Sequence, residues 1–356
     1  MAQTVGNTMK TGKSWSYQLR GESWSTPALF DATGDGVFDV ITACRAGWVY
    51  AISGRTGNEI WSVSAGSEIT ASPTVVNVGK DDDPRVFIGS HDGAMYCLDA
   101  LTGTEHWKFQ TEDYIRTRPA IADIDDDGRL ELIFAGYGGH VYCCDALTGD
   151  VKWHRLLPPM RWLRADTRGM VSSPLVVESF DSGNAVVLVG VRTNRFFALD
   201  AASGRVLWFV SMLSGSDASP SVATIDGQSI AIVGSGESLN GGGGKTVYAL
   251  DVKTGRSKWT CRARGGMDGA PTIADINGDG RAEAFVTSLA DASLYALRVE
   301  DGSLIWRYSI EETDACAHQK DNWCIPTGER SYHTARAICK SYNSPLIVDS
   351  GTEAGR

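Results

Sequence analysis

Tyr248-Ala-Leu-Asp-Val-Lys-Thr-Gly-Arg-Ser-Lys-Trp259 decides how this chain folds. Its first residues read as a short strand, Thr254-Gly255 as a tight turn, and the tail ending in Trp259 as the next strand. The phrase returns as Ser53-Gly-Arg-Thr-Gly-Asn-Glu-Ile-Trp61, Ala100-Leu-Thr-Gly-Thr-Glu-His-Trp107 and Ala146-Leu-Thr-Gly-Asp-Val-Lys-Trp153. Trp15, Trp61, Trp107, Trp153, Trp208, Trp259 and Trp306 follow one another at 46, 46, 46, 55, 51 and 47 positions. A period of this size is the mark of a repeat architecture.

Working outward from the phrase, each unit has two more strands. A proline opens the first: Pro27, Pro73, Pro119, Pro174, Pro220 and Pro271. Proline is tolerated at a strand start, where no ladder donor is lost. A second apolar run follows, such as Arg85-Val-Phe-Ile-Gly89 or Glu131-Leu-Ile-Phe-Ala135. Four short strands per unit make a β-propeller blade. The recurring Trp reads as a wedge between blades, set by the Thr-Gly turn. Six blades are complete. Residues 4–15 resemble a third and fourth strand, and 333–339 with 344–351 a first and second. The expected fold is therefore all-β: one domain, 1–356, a seven-bladed propeller of four-stranded antiparallel blades. Its last blade is closed by N- and C-terminal strands, which removes the open edge. Insertions are expected at 155–170 and 310–332. Because Met1 falls part-way through a unit, the chain fits a domain of a longer protein.

The net charge of −10 disfavours nucleic acid and anionic membrane surfaces as partners. No apolar run reaches the ~18 residues of a membrane helix, and no signal peptide is visible. Cys44, Cys97, Cys143 and Cys261 read as small buried hydrophobes. Cys143-Cys144 replaces Ala-Leu of the repeat and is expected to pack in the core. Cys316 and Cys324 are candidates for a disulfide or a metal.

The Tyr-Ala-Leu-Asp-x-x-Thr-Gly-x-x-x-Trp phrase resembles the repeat of PQQ-like, quinoprotein-type β-propellers. That family includes quinoprotein alcohol dehydrogenases and cofactor-free scaffolds of outer-membrane protein assembly. The resemblance implies an extracytoplasmic or periplasmic setting. The dehydrogenases are longer and eight-bladed, and their Glu/Asn/Asp catalytic set has no counterpart here, so neither PQQ nor catalysis is expected. A second resemblance is to FG-GAP/VCBS repeats. Three loops between first and second strands carry oxygen ligands at calcium-loop spacing: Asp31, Asp35 and Asp39; Asp123, Asp125, Asp127 and Glu131; Asp275, Asn277, Asp279 and Glu283. Glycine at the sixth position allows the sharp turn, and hard oxygens suit Ca²⁺. Calcium here would be structural.

Function is sought where repeats differ. The residue three before each opening proline should line the axial opening on the face opposite the acidic loops. The series is Trp24, Thr70, Arg116, Val171, Asp217, Asp268 and, for the seventh blade, Tyr332. The insertion after the third blade adds Arg161, Trp162 and Arg164 on that face, and Trp and Arg are enriched at interface hot spots. The leading expectation is a non-enzymatic interaction scaffold, calcium-stabilised and part of a larger assembly, binding a protein or peptide on the insertion-bearing face. The alternative is a quinoprotein-like oxidoreductase or small-ligand propeller using the channel mouth. Neither nucleic acid nor direct membrane insertion is expected.

Overall fold

The computed structural model describes residues 15–79, 83–158, 172–178, 185–192, 194–216, 218–236, 245–267, 269–288 and 292–309. These residues form strands and connecting turns, without a helix. Blade 1 comprises β1 (Ala28–Phe30), β2 (Asp39–Cys44), β3 (Trp48–Ile52) and β4 (Glu59–Ser64). Blade 2 comprises β5 (Thr74–Asn77), β6 (Pro84–Gly89), β7 (Ala94–Asp99) and β8 (Glu105–Gln110). Blade 3 comprises β9 (Ala120–Ala122), β10 (Glu131–Ala135), β11 (His140–Asp145) and β12 (Val151–Leu156). Blade 4 comprises β13 (Leu175–Val177), β14 (Val186–Val191), β15 (Arg195–Asp200) and β16 (Val206–Ser211). Blade 5 comprises β17 (Ser221–Ile225), β18 (Gln228–Ser235), β19 (Thr246–Asp251) and β20 (Ser257–Arg262). Blade 6 comprises β21 (Thr272–Ala274), β22 (Glu283–Ser288), β23 (Ser293–Arg298) and β24 (Leu304–Ser309). Each blade is a four-stranded antiparallel meander in sequence order.

The core is a series of clusters, each shared by two neighbouring blades. Ile41, Val49 and Trp61 of blade 1 pack with Val86, Ile88 and Leu98 of blade 2. Matching clusters join blades 2 and 3, 3 and 4, 4 and 5, and 5 and 6. A blade therefore buries neither face alone, as a four-stranded sheet with two apolar faces requires.

The tryptophan carries much of each joint. The indole of Trp61 donates to the carbonyl of Ala100 in the next blade (3.0 Å). Trp107, Trp153, Trp208 and Trp259 donate likewise to Ala146, Ala201, Val252 and Val299. The glycine of the receiving Thr-Gly, Ser-Gly or Asp-Gly turn has φ between +67° and +79°. A Cβ there would stand 2.4–2.8 Å from the indole. Glycine is thus demanded by the backbone and again by the ring. Trp15 makes the same bond to Gly54 in blade 1 (2.8 Å) and packs on Gly57. It occupies the station of a fourth-strand tryptophan from a blade preceding blade 1, consistent with the phase read from the sequence. The other segments assigned to a seventh blade lie outside the described residues.

The opening Ser-Pro also clamps neighbours. The hydroxyls of Ser72, Ser173 and Ser219 accept the backbone N–H of Thr26, Arg118 and Ser173 from the preceding blade, at 2.9–3.0 Å. In all six blades the pairing of third and fourth strands shifts by one residue just before the tryptophan. Such a bulge leaves one residue unpaired and re-aims its side chain. In blade 3 that residue is Lys152.

Candidate functional site

The meander puts the lead-in to each first strand, and the turn between second and third strands, on one face of the disc. The acidic loops and the Thr-Gly turns occupy the other. On the first face the backbone repeats a latch. The residue opening the second-to-third-strand turn donates its N–H to the carbonyl five residues before the proline: Arg45 to Glu22, His91 to Glu68, Tyr137 to Tyr114, and Gly236 to Gly215, at 2.8–3.0 Å.

The side chains at these two positions link up across blades. Arg45 bridges Glu22 at 3.1 Å and Glu68 of the next blade at 2.5 Å. Glu68 lies 4.0 Å from the His91 Nδ1. The His91 ring meets Tyr114 at 5.1 Å, and Tyr114 stacks on Tyr137 at 4.4 Å. The Tyr137 hydroxyl accepts from Arg192 of blade 4 at 3.3 Å. The result is an arc of alternating charge and aromatic surface spanning blades 1 to 4.

Trp24 and Arg116, two of the residues singled out by sequence, belong to this arc. Trp24 is 43% exposed with the Arg45 guanidinium 4.5 Å from its ring centroid, a cation–π contact. Arg116 has no hydrogen bond or ion pair among the described residues, yet its field reaches Glu68, His91 and Tyr114. Thr70 is hydrogen-bonded to the His91 Nε2 at 2.9 Å. Burial holds the His91 pKa below its ordinary value, with Arg116 and Arg45 adding to the effect against Glu68. The bond from Arg45 lowers that of Glu68. Arg161, Trp162, Arg164, Val171, Asp217, Asp268 and Tyr332 lie outside the described residues, as do Cys316 and Cys324. Sequence reasoning missed Glu68, His91, Tyr114, Tyr137 and Arg192. The available signal was that these two repeat positions vary as sharply as the one that was read.

The three acidic loops differ. In blade 1 the fully buried Asp39 accepts from the N–H groups of Ala32, Thr33 and Gly54. Asp31 accepts from Asp35 and Gly36, and Asp35 pairs with Arg55 at 2.6 Å. In blade 3 the carboxylates of Asp123, Asp125 and Glu131 converge within 4.8 Å of one another, while Asp127 instead caps Arg129 N. That donor set suits a hard divalent ion. The bulged Lys152 reaches into it, bonding Glu131 and, at 3.0 Å, Asp125. Burial works against the Lys152 ammonium, but those two bonds outweigh it and raise its pKa. In blade 6 the Asp275 carboxylate accepts from Gly278 and Gly280. Asn277 donates to Asp279 and Glu283, and the bulged residue is Ile305, which brings no cation. Among the described residues the carboxylates converge only in the blade 3 loop, which carries its own ammonium.

Cys143 and Cys144 are free and fully buried. Adjacent on one strand, they face opposite sides, Cys143 into the blade 3–4 cluster and Cys144 into the blade 2–3 cluster. Burial pushes the Cys143 thiol up and the Cys144 thiol to about 12.

The fold is that of a β-propeller of PQQ-like repeats. A family model described as outer membrane protein assembly factor BamB matches residues 45–191 and 192–322, and the chain belongs to that family. Among solved structures it is similar to BamB from Moraxella catarrhalis (18% identity, 84% of this chain and 91% of that one, TM-score 0.51). It is also similar to a europium-containing methanol dehydrogenase (13%, 83% and 72%, TM-score 0.56) and to Saccharomyces cerevisiae Sqt1 (14%, 77% and 74%, TM-score 0.56). At these identities the likeness concerns the fold. No curated protein matches the sequence. No helix among the described residues is long and apolar enough to cross a membrane.

Proposed function

We propose that this chain is a non-enzymatic scaffold that holds a protein or peptide partner on its axial face, within an extracytoplasmic assembly. The observation that carries the reading is the arc from Glu22 to Arg192. It presents aromatic and charged groups together on rigid turns, and Arg116 stands within it without a partner of its own among the described residues. Aromatic and arginine side chains of this kind supply interface anchors. The family's description as an assembly factor agrees with it. Calcium, in this reading, stabilises the acidic face rather than reacting.

The test is crosslinking and capture of the partner by the full chain, comparing Trp24→Ala, Arg116→Ala and the pair Trp162→Ala with Arg164→Ala. Loss of capture at unchanged melting temperature supports the reading. Unchanged capture by all of them overturns the assignment of this face. Dye-coupled alcohol oxidation after addition of PQQ and Ca²⁺ would establish the competing oxidoreductase reading.

A further inference from the structure

We propose that the axial edge of the joint between blades 2 and 3 binds a carboxylate group, held by Arg118, Arg116 and the backbone N–H of Ser72. The residue just before each opening proline is Thr26, Ser72, Arg118, Ser173, Ser219 and Ala270. A serine at this station closes the joint behind it. Its hydroxyl accepts the backbone N–H at the same station of the preceding blade, Thr26 to Ser72, Arg118 to Ser173 and Ser173 to Ser219. In blade 3 the station holds arginine, whose side chain has donors and no acceptor. The Ser72 N–H therefore lacks the hydroxyl that its counterparts have, and it has no partner among the described residues. In blade 6 Ala270 also withholds the hydroxyl but brings no cation. Donor set against donor belongs to the blade 2–3 joint.

The Arg118 guanidinium stays in that joint. Its Nε donates to the Thr74 hydroxyl of blade 2 at 3.3 Å, and that hydroxyl gives its own hydrogen to the Pro119 carbonyl at 2.9 Å. The Nη groups of Arg118 have no partner among the described residues, and the residue is exposed. Arg116 acts toward the same blade. Ile115 and Thr117 on either side of it are buried in blade 3. Arg116 itself is half-buried, and its field is felt by Glu68 and His91 of blade 2. It makes no hydrogen bond or ion pair among the described residues, and Glu68 is taken by Arg45 at 2.5 Å. Two arginines with unused donors and one unpaired N–H thus gather at a single joint.

An oxyanion resolves that mismatch. A guanidinium presents parallel N–H groups that match the two oxygens of a carboxylate, and a backbone N–H is a further donor of the kind that captures chain-terminal carboxylates. A dianion such as phosphate is less suited. The chain carries −10, and Glu22 and Glu68 stand on the same face. The carboxylate can belong to a small free acid or to the end of an extended chain. The site goes beyond the arc: Arg118 takes no part in it, so partner capture that persists without probe binding sinks this inference alone.

The experiment is calorimetric titration of the full chain, in low-chloride buffer, with propionate, acetylated trialanine, the C-terminal amide of that peptide, and phosphate. Saturable binding of one carboxylate per chain is expected, with the amide silent and phosphate weaker. Binding of the peptide acid without propionate names a chain end as the source, and binding of propionate names a free acid. The decisive variant is Arg118→Ser, which offers Ser72 the hydroxyl that is native at this station in blades 2, 4 and 5, so the fold accommodates it. It should lower carboxylate affinity by about tenfold or more, at a melting temperature no lower than that of the wild type. Arg116→Gln should also weaken binding, whereas Arg256→Gln, on a Thr-Gly turn of the opposite face, should bind as the wild type does. The proposal is overturned by no saturable binding of either carboxylate, by equal binding of the amide, or by tighter binding of phosphate. An Arg118→Ser chain that binds like the wild type, or an equal loss in Arg256→Gln, overturns it too.

Discussion

Replacing Lys152 with methionine should turn the blade 3 loop from a self-sufficient ion cluster into one that needs a metal. Glu131 is fully buried, and its carboxylate is held by Lys152 and the N–H of Ile124. Removing one partner of a fully buried pair costs roughly 3–5 kcal/mol. The Lys152 side chain is 29% exposed, so water screens part of the interaction, and about 2 kcal/mol is expected. Unfolding entropy of roughly 2.1 cal/mol/K per residue gives roughly 0.7 kcal/mol/K for a chain of 356 residues. The loss is then a fall in melting temperature of roughly 3 °C. Ca²⁺ at a hundredfold excess over its dissociation constant returns about 2.7 kcal/mol, or roughly 4 °C. The assay is calorimetry of both chains in chelator and in Ca²⁺. The readout is the difference between them, since the loops of blades 1 and 6 respond equally in both. If Lys152→Met melts with the wild type in chelator, or gains no more from Ca²⁺ than the wild type does, the ammonium is not standing in for a cation.

Gly204→Ala should cost about 2–3 kcal/mol in urea unfolding, because φ is +67° and the new Cβ would sit 2.5 Å from Trp153. Gly227→Ala, with φ +75° and nothing within 4 Å, should show only the backbone part, about 1 kcal/mol. Tyr248→Phe should lose about 1 kcal/mol with the bond from the Leu213 N–H, whereas Phe197→Tyr should gain no such bond, because the residue five beyond Trp153 is Pro158, which has no N–H. His91 should titrate by NMR below the ordinary histidine value of about 6.5. The neutral ring is favoured in the native state, so the unfolded chain takes up the proton first as pH falls. Its share of stability is complete above the unfolded pKa and is lost from about 6.5 down to the folded pKa. A stability profile in which His91→Phe keeps the wild-type slope over that window would refute the assignment.

The blade count of the described region and the strand order were legible because Trp, Thr-Gly and Pro recur in one register, and each does one mechanical job. Trp61 had to meet the following blade because its own sheet could not cover it. Other features were hidden from spacing. That Ser72 reaches back to Thr26 depends on how closely the inner strands approach. That Lys152 enters the acidic loop depends on a bulge, which shifts a residue that a regular ladder would have turned elsewhere. The arc from Glu22 to Arg192 alternates between two repeat positions about 23 residues apart, and only folding brings them side by side. The three acidic loops read alike in sequence. They differ in structure because the deciding residues, Arg55, Lys152 and Ile305, come from the opposite hairpin.

The forward reach of each indole makes every joint a knob from one blade in a socket on the next. Such contacts are heterologous: they are satisfied throughout only when the series returns on itself, and otherwise they propagate. A fragment holding blades 2 to 4 would carry an unfilled socket at Gly103 and an unsheltered knob at Trp208. Those two surfaces fit one another. Such fragments would add head to tail, closing into a ring of fragments if the rotation per blade allows it and running on as a filament if it does not. The same device that joins one blade to the next is a polymerisation hazard for any proteolytic piece of the chain.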